Sequence, residues 1–392
     1  MSQRPTQKVA FSLRNPAVRA WLYQILAVLL LFAFLGYLLH NTITNLTTRG
    51  ITSGFDFLDR GAGFGIVQHL ISYEEGDTYA RVFLIGLLNT LLVSALCIVF
   101  ASFLGFVVGL GRLSDNWLIR KLCTVYVETF RNIPPLLQIF FWYFAVLRNL
   151  PGPRQSLNAF DTVFASNRGL YLPSPEMAAG FWPAVIGLLL AVGGILFLKR
   201  YNHFRQIHTG LVWRIWPWCL LMLVLFPAIA QLIFGPALHW DIPKLRGFNF
   251  GGGMVLIPEL GALTLALSVY TSTFIAEVIR SGIQSVSHGQ HEAARSLGLP
   301  NPVTLRQVIL PQAMRVIIPP LTSQYLNIVK NSSLAAAIGY PDMVSLFAGT
   351  VLNQTGQAIE TIAITMSVYL IISLVISFLM NIYNRRIALV ER

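Results

Sequence analysis

Charged side chains are scarce in this sequence, and that scarcity excludes an ordinary soluble fold. Only 11% of the 392 residues are Asp, Glu, Lys or Arg, whereas 55% are hydrophobic. A soluble domain carries about 25% charged residues. Residues 85–110 contain no charged residue at all, and such a run exceeds the roughly 20 apolar residues needed to cross a bilayer core. The sequence therefore predicts a membrane protein.

Several chemical signatures are also missing. The three cysteines, Cys97, Cys123 and Cys219, have no CxxC spacing and lie in or beside apolar runs, which predicts small buried residues without disulfides. No GxxxxGK[ST] phosphate loop occurs, and the glycine run 251–253 is followed by no Lys-Ser/Thr pair. No Ser/His/Asp or paired-carboxylate pattern is visible. We expect no catalytic residue and no cofactor in this chain, so any ATP it uses is bound by a partner.

A metal site is not expected either. His288 and His291 lie three residues apart beside Glu292, but a metal ion needs further ligands and none lies nearby in the sequence. We interpret these histidines as surface residues.

Hydropathy predicts an all-α polytopic membrane protein with about eight transmembrane helices. The predicted spans are 21–39, 83–110, 134–150, 181–198, 216–235, 256–280, 313–334 and 359–382. The first follows a basic tail (Arg4, Lys8, Arg14, Arg19) and has no small-x-small cleavage site, so it is expected to be a retained span.

The charge distribution predicts the topology. With the N-terminus inside, the inner segments together with the inner halves of the spans hold 19 of the 28 Lys and Arg residues but only 5 of the 16 acidic residues. The excess matches the positive-inside rule and places both termini in the cytoplasm. Because topology accounts for the net charge of +12, no nucleic-acid partner is needed.

Changes in character along the chain predict four segments. They are 1–82, with the tail, the first span and an outer loop (41–80) holding a short surface helix; 83–145, the first part of a membrane core; 146–257, an insertion with two extra spans, outer loops and the inner loop KRYNHFRQIHTGLVWRIW; and 258–392, the second part of the core.

Two local patterns bear on the core. Ala101, Gly105 and Gly109 recur every four residues, a ridge of small residues that brings helices close together, within the chain or at a subunit interface. An amphipathic inner-surface helix, 117–130, precedes Pro134 and Pro135, which break the helix as the chain re-enters the membrane.

The polar loop 283–312 is the least membrane-like part of the core. Residues 287–297 favour a helix, which Gly298 and Pro300 end. Asn301 as N-cap and Pro302 as first helical residue begin a second short helix towards Leu310. This pattern predicts two short helices at the inner membrane face.

The loop resembles the EAA signature of permease subunits of bacterial ABC importers. Glu292, Ala293 and Ala294 are followed after three residues by Gly298 and after nine more by Val308-Ile-Leu-Pro311, where the family usually has Ile at 308. Further matches narrow the resemblance to polar amino acid permeases, although Asn331 and Ser332 replace an expected Asp and Thr. These matches are GLLNTLLVS at 86–94, YVETFRNIPPLLQ at 126–138, FIAEVIRSGIQSV at 274–286 and NIVKNSSLAAAIG at 327–339. The insertion is similar to that of the general L-amino-acid and glutamate/glutamine/aspartate/asparagine permeases.

The resemblance implies a type I ABC importer permease core in the bacterial inner membrane. It implies that the loop docks on a cytoplasmic ABC ATPase dimer through His291, Glu292, Ala293, Ala294, Gly298, Leu310 and Pro311. It also implies a second homologous permease subunit, a periplasmic amino-acid-binding protein and an amino-acid substrate; membrane lipid surrounds the helices.

Polar residues within the spans are candidates for a substrate pathway or gate. Glu277 either recognises a substrate ammonium or forms a salt bridge with Arg280 or Arg131 that fixes the inner gate. Lys330 either meets a substrate carboxylate or extends to the outer interface. Glu128 and Tyr270 are further candidates. The remaining candidates, each of which alternatively hydrogen-bonds a neighbouring helix, are Asn89, Gln138, Ser268, Gln324 and Asn327.

Two other functional classes fit the sequence less well than an ATP-driven importer does. An ion-coupled secondary amino-acid transporter often shows inverted repeats, which are not visible here, and has no need of an EAA loop. A membrane-embedded enzyme would need a catalytic constellation. The EAA loop and the missing catalytic constellation therefore favour a transport subunit without an ATPase site of its own.

Overall fold

The computed structural model describes residues 16–48, 50, 54–211 and 213–387, and most of them are helical. The α-helices are α1 (Pro16–Thr48), α2 (Tyr79–Gly111), α3 (Trp117–Arg131), α4 (Pro135–Phe140), α5 (Phe181–Thr209), α6 (Trp216–Phe234), α7 (Pro258–Gln284), α8 (His288–Ser296), α9 (Asn301–Val303), α10 (Leu310–Ser332), α11 (Leu352–Thr355) and α12 (Ala358–Ile387). Part of the basic tail behind the topology prediction, including Arg4, Lys8 and Arg14, lies outside the described residues.

Six of these helices are long and apolar enough to cross a membrane: α1, α2, α5, α6, α7 and α12. Each coincides with a predicted span. The predicted span 134–150 is α4 followed by a π-helical segment, Phe141–Val146, and a 3-10 turn, Leu147–Asn149. The predicted span 313–334 lies in α10, which contains Pro319 and Pro320. The count of eight and the placement of the termini stay predictions.

A central bundle forms where α2 and α10 pack against α7. The ridge of small residues on α2 makes the closest approach: a Cβ atom added at Gly105 would lie 2.6 Å from Cβ of Ile275, and one at Gly109 would lie 2.9 Å from the carbonyl oxygen of Ala276. Only glycine fits such contacts, so the ridge serves packing within the chain. As a result 61% of the most apolar stretch of α7 is buried.

A peripheral hairpin, α5 with α6, contrasts with this bundle. The two helices pack on each other, and within the described residues neither makes a comparable contact with the bundle. The first part of the predicted inner loop, from residue 199 to Thr209, continues α5, because no glycine or proline occurs between residue 198 and Gly210.

The outer segments of the insertion, predicted as loops, form short strands. They are β1 (Leu157–Ala159), β2 (Val163–Ser166), β3 (Gly169–Leu172), β4 (Ser174–Met177), β5 (Leu238–Asp241), β6 (Lys244–Arg246), β7 (Asn249–Gly251) and β8 (Met254–Leu256). One antiparallel sheet has the order β1-β2-β3-β8, while β4 pairs with β5 and β6 with β7. Strands of three or four residues are too short for alternation to reveal them. Strand β8 leads directly into α7, so the insertion is joined to the bundle.

The outer loop 41–80 also differs in part from its prediction. Its first residues belong to α1, which continues to Thr48. The surface helix expected there is a single 3-10 turn, Asp56–Asp59, anchored by the buried ring of Phe57.

Candidate functional site

The polar loop is a helix, a tight turn and a second helix that continues into the membrane. Helix α8 ends where Gly298 adopts φ +68°, with hydrogen bonds from its backbone N–H to Arg295 O (2.9 Å) and from Leu299 N–H to Ala294 O (3.1 Å). This is the left-handed ending that favours glycine. The stop at Gly298 is confirmed.

The second helix differs from its prediction. Pro300 occupies the N-cap position and Asn301 is the first helical residue. The chain then stays helical through a π-helical segment, Thr304–Ile309, into α10. The loop is therefore continuous with a helix of the central bundle and is not a separate pair of short helices, since no residue between 303 and 310 interrupts the helix.

The loop presents one face to its own chain and another to solvent. Ala294 and Ile309 are buried, so Ala294 packs against its own chain. Glu292, Ala293, Gly298 and Pro311 are exposed, while His291 and Leu310 are partly buried.

Leu297 is an exposed residue of the polar loop that the sequence pattern did not mark as a docking residue. It lies at the turn with 78% of its surface exposed. Nothing in the pattern distinguishes it from a buried helical leucine, because its exposure depends on how α8 packs against the following helix. Its apolar side chain is therefore available for a contact outside this chain.

Side-chain contacts hold the loop together. Nδ1 of His288 lies 3.0 Å from Oε1 of Glu292, one turn along α8. Gln312 Nε2 donates to Gln290 Oε1 over 3.2 Å and so joins α8 to the start of α10. Among the described residues no group of three or more His, Cys, Asp or Glu side chains is placed to hold a metal ion.

An ion-pair network joins α2 to α7 at the end of the bundle nearest the loop. The Glu277 carboxylate forms salt bridges with Arg280, one turn along α7, and with Arg112 at the C-terminal end of α2. The predicted bridge to Arg280 is confirmed, whereas Arg131 instead stacks over the ring of Phe274 at 5.0 Å. Arg112 was missed because this pairing joins residues 165 positions apart.

The proline break is bridged by a side chain. Gln138 is buried and its Nε2 donates to the carbonyls of Phe130 (2.9 Å) and Ile133 (3.0 Å), which the broken helix leaves free. The alternative role predicted for Gln138, a hydrogen bond to a neighbouring helix, is therefore present in the structure. Glu128 is exposed, and its backbone carbonyl accepts a hydrogen bond from Asn132.

Asn89 joins α2 to two other segments at the end of the bundle opposite the polar loop. Its Nδ2 donates to the carbonyls of Gln68 (2.8 Å) and Pro341 (2.9 Å). Next to it, buried Asp342 accepts hydrogen bonds from Tyr369 Oη and Ser345 N–H, both 2.9 Å. Burial raises the pKa of Asp342 to about 6, against the opposing effect of these hydrogen bonds.

Other candidates occupy two separate places. Ser268 is buried on α7, and its hydroxyl has no hydrogen-bond partner within the described chain; Tyr270 packs its ring 5.1 Å from that of Phe274. On α10, Gln324, Asn327 and Lys330 recur every three residues, and the last two are exposed. The predicted pathway residues therefore lie in several places and do not form one pocket. These places are the Glu277 ion network, the proline break, the contact of Asn89 with Pro341, the buried part of α7 and the exposed face of α10.

Comparison with known proteins identifies the class. Residues 211–389 match the family model described as "Binding-protein-dependent transport system inner membrane component". The chain is 73% identical over 390 residues to the putative amino-acid ABC transporter permease protein YhdX of Escherichia coli K12, covering 100% of this chain and 99% of that protein. The class is thus a membrane-spanning permease of a binding-protein-dependent transport system.

Two further relatives are similar over nearly their whole length. The chain is 49% identical to the general L-amino acid transport system permease protein AapQ of Rhizobium johnstonii, covering 96% of this chain and 94% of AapQ. It is 42% identical to the glutamate/glutamine/aspartate/asparagine transport system permease protein BztB of Rhodobacter capsulatus, covering 94% and 93%. The chain belongs to the family of amino-acid ABC transporter permeases. It is a multi-pass inner membrane protein and a transport subunit whose family works with an ATPase and a binding protein.

Proposed function

We propose that this chain is the permease through which an ATP-driven importer moves L-amino acids, including polar and acidic ones, across the inner membrane. The names of AapQ and BztB, with which the chain shares almost its full length, support this range of substrates. A periplasmic amino-acid-binding protein delivers the substrate, and a cytoplasmic ATPase dimer binds and hydrolyses the ATP.

The observation that carries the coupling mechanism is the unbroken connection from the loop to α10. An ATPase dimer that closes on ATP favours one position of the docked loop, and α10 shares that preference because helix continuity and the Gln290–Gln312 bond link them. Glu292, Ala293 and Leu297 on the exposed face supply the contact surface. Ala294 supports it from beneath.

The Glu277 network extends the motion to the rest of the bundle. Glu277 and Arg280 both belong to α7, whereas Arg112 lies at the end of α2. A shift of α7 relative to α2 must therefore strain or break the Glu277–Arg112 pair, while Arg280 stays as the partner of Glu277. In this role Glu277 is a gate residue at the inner end and does not bind the substrate ammonium.

The exposed polar face of α10 supports a pathway beside a second permease subunit. Polar side chains in a membrane helix face protein or water rather than lipid. Ser323, Asn327 and Lys330 are all exposed along α10. A homologous subunit facing them would enclose a polar route between the two chains.

Reconstitution tests this function directly. Proteoliposomes containing this chain, its second permease and the ATPase dimer, with binding protein and labelled L-glutamate outside, are expected to accumulate the label only with ATP inside. Omitting the ATPase is the control. Uptake by this chain alone, driven by an ion gradient, would contradict the proposal in favour of a secondary transporter.

A further inference from the structure

The insertion, the start of α7 and the outer loop before α2 line an open cavity at the end of the bundle opposite the polar loop. We call it the outer cavity; its volume is about 440 Å³, within the range of small-molecule sites. Its polar and charged lining comes from Gln68, Arg148, Asn167, Arg168, Tyr171, Asn249 and Glu259. Most of these residues lie in the insertion.

The strand pairing brings the charges together. Strand β3 pairs with β8 through Leu170 and Leu256, so Arg168 just before β3 approaches Glu259 just after β8. Arg148 follows the π-helical segment whose Tyr143 donates a hydrogen bond to Glu259 Oε1 over 2.7 Å. Two guanidinium groups and one carboxylate therefore line one small cavity.

The wall of the cavity is fixed in place. Tyr171 Oη donates to Asn249 Oδ1 over 2.7 Å, and the ring of Phe250 packs 4.7 Å from that of Tyr171. Asn167 differs: its buried Oδ1 has no hydrogen-bond partner among the described residues. Because no hydrogen bond to the described residues holds this side-chain amide, it can turn towards a ligand that donates.

We propose that the outer cavity binds a free dicarboxylic α-amino acid before it enters the membrane. This inference rests on the proposed function. Arg148 and Arg168 bind the two carboxylates, since guanidinium matches carboxylate geometry. Glu259 and Asn167 Oδ1 accept from the ammonium group. Two cations and one anion in the lining match a ligand with two anions and one cation.

A neighbouring cavity gives the ligand an onward route. It has a volume of about 240 Å³ and shares Val67, Ile257 and Glu259 with the outer cavity. Its far wall includes Pro341 and Ser345, which lie beside Asn89 and Asp342. Glu259 thus lines both cavities, as expected for a residue that passes a ligand from one to the other.

Equilibrium binding of labelled L-glutamate to the purified full chain in lipid nanodiscs tests the site. L-Glutamate is expected to bind at least about tenfold more tightly than L-lysine, and Arg168→Ala to weaken it by about tenfold. The matched control is Arg154→Ala: this arginine also lies in the insertion but stacks on Phe248 at 4.6 Å and does not line the cavity. The Arg154→Ala variant is expected to bind L-glutamate as tightly as the unaltered chain does.

Glutarate, which lacks the ammonium group, tests the role of Glu259. The unaltered chain is expected to prefer L-glutamate to glutarate, and Glu259→Gln to abolish that preference. Equal binding of L-lysine, or an Arg168→Ala variant with unchanged affinity, would overturn the inference.

Different results would contradict the proposed function and the proposed binding site. If Arg168→Ala leaves glutamate binding intact but reduces uptake that depends on the binding protein, the arginine docks that protein and the cavity assignment is wrong. ATP-dependent uptake in that case still supports the importer.

Discussion

The central bundle and the peripheral hairpin are both made of helices able to cross a membrane, yet they are built differently. The most apolar stretch of α7 is 61% buried, whereas those of α5 and α6 are 11% and 0% buried. Of the six candidate spans, α7 is nevertheless the least apolar. Burial in this protein therefore does not follow hydropathy: the most enclosed of the six helices is also the least hydrophobic.

This difference between the bundle and the hairpin indicates which helices carry the function. Ser272 on α7 contacts Tyr126 through a 2.7 Å hydrogen bond, and Glu277 pairs with two arginines. Such groups need protein partners in the membrane. The hairpin presents apolar side chains outward, as expected of helices in lipid. Changes in the bundle should therefore affect stability and coupling, and equivalent changes in the hairpin should affect neither.

The largest effect is expected from filling the close contact of α2 with α7. Gly105→Leu places a side chain where even Cβ would lie 2.6 Å from Ile275, and overpacking should cost about 3 kcal/mol. Gly193→Leu on α5 is the matched control, because nothing lies within 4 Å of its Cβ position. Thermal unfolding in detergent measures both. Equal losses would remove the distinction between bundle and hairpin.

The next effect concerns the buried carboxyl of Asp342. Because burial raises its pKa from 3.8 to about 6, the folded state binds the proton more tightly than the unfolded state. The free energy of unfolding should therefore fall as pH rises from about 4 through about 6. Asp342→Asn should flatten this part of the pH profile, measured as Tm against pH. An Asp342→Asn variant whose Tm falls with pH as steeply as that of the unaltered chain would contradict this prediction.

A smaller effect is expected at the ion network. Glu277→Ala leaves Arg112, which is only 13% exposed, without its carboxylate. Removing one partner of a buried pair costs about 3–5 kcal/mol, and the partial exposure of Glu277 reduces this to about 1–2 kcal/mol. Arg205→Ala, exposed on α5, is the control and should change stability by less than about 0.5 kcal/mol. Urea unfolding of both variants gives the comparison.

Local signals and long-range contacts explain which features the sequence could predict. Hydropathy located the spans, and Gly298 with Pro300 located the end of α8, because both signals lie within a few residues. The partner of Glu277 was not predictable, since Arg112 comes from another helix. Short strands such as β3 become visible only when paired, and a lone Asp342 gives no sign of burial until α12 supplies Tyr369. The exposure of Leu297 likewise depends on tertiary packing.

The central claim is that the polar loop transmits the work of an ATPase to the bundle, and a pair of leucines tests it. Leu297 lies on the loop and Leu211 in the connection between α5 and α6; they are 78% and 62% exposed. In the reconstituted transporter, Leu297→Asp should reduce ATP-dependent uptake by at least about tenfold, as expected for a central contact residue. Its level of membrane insertion should stay normal, and Leu211→Asp should transport at the unaltered rate. Full uptake by Leu297→Asp, or equal loss in both variants, would contradict the account.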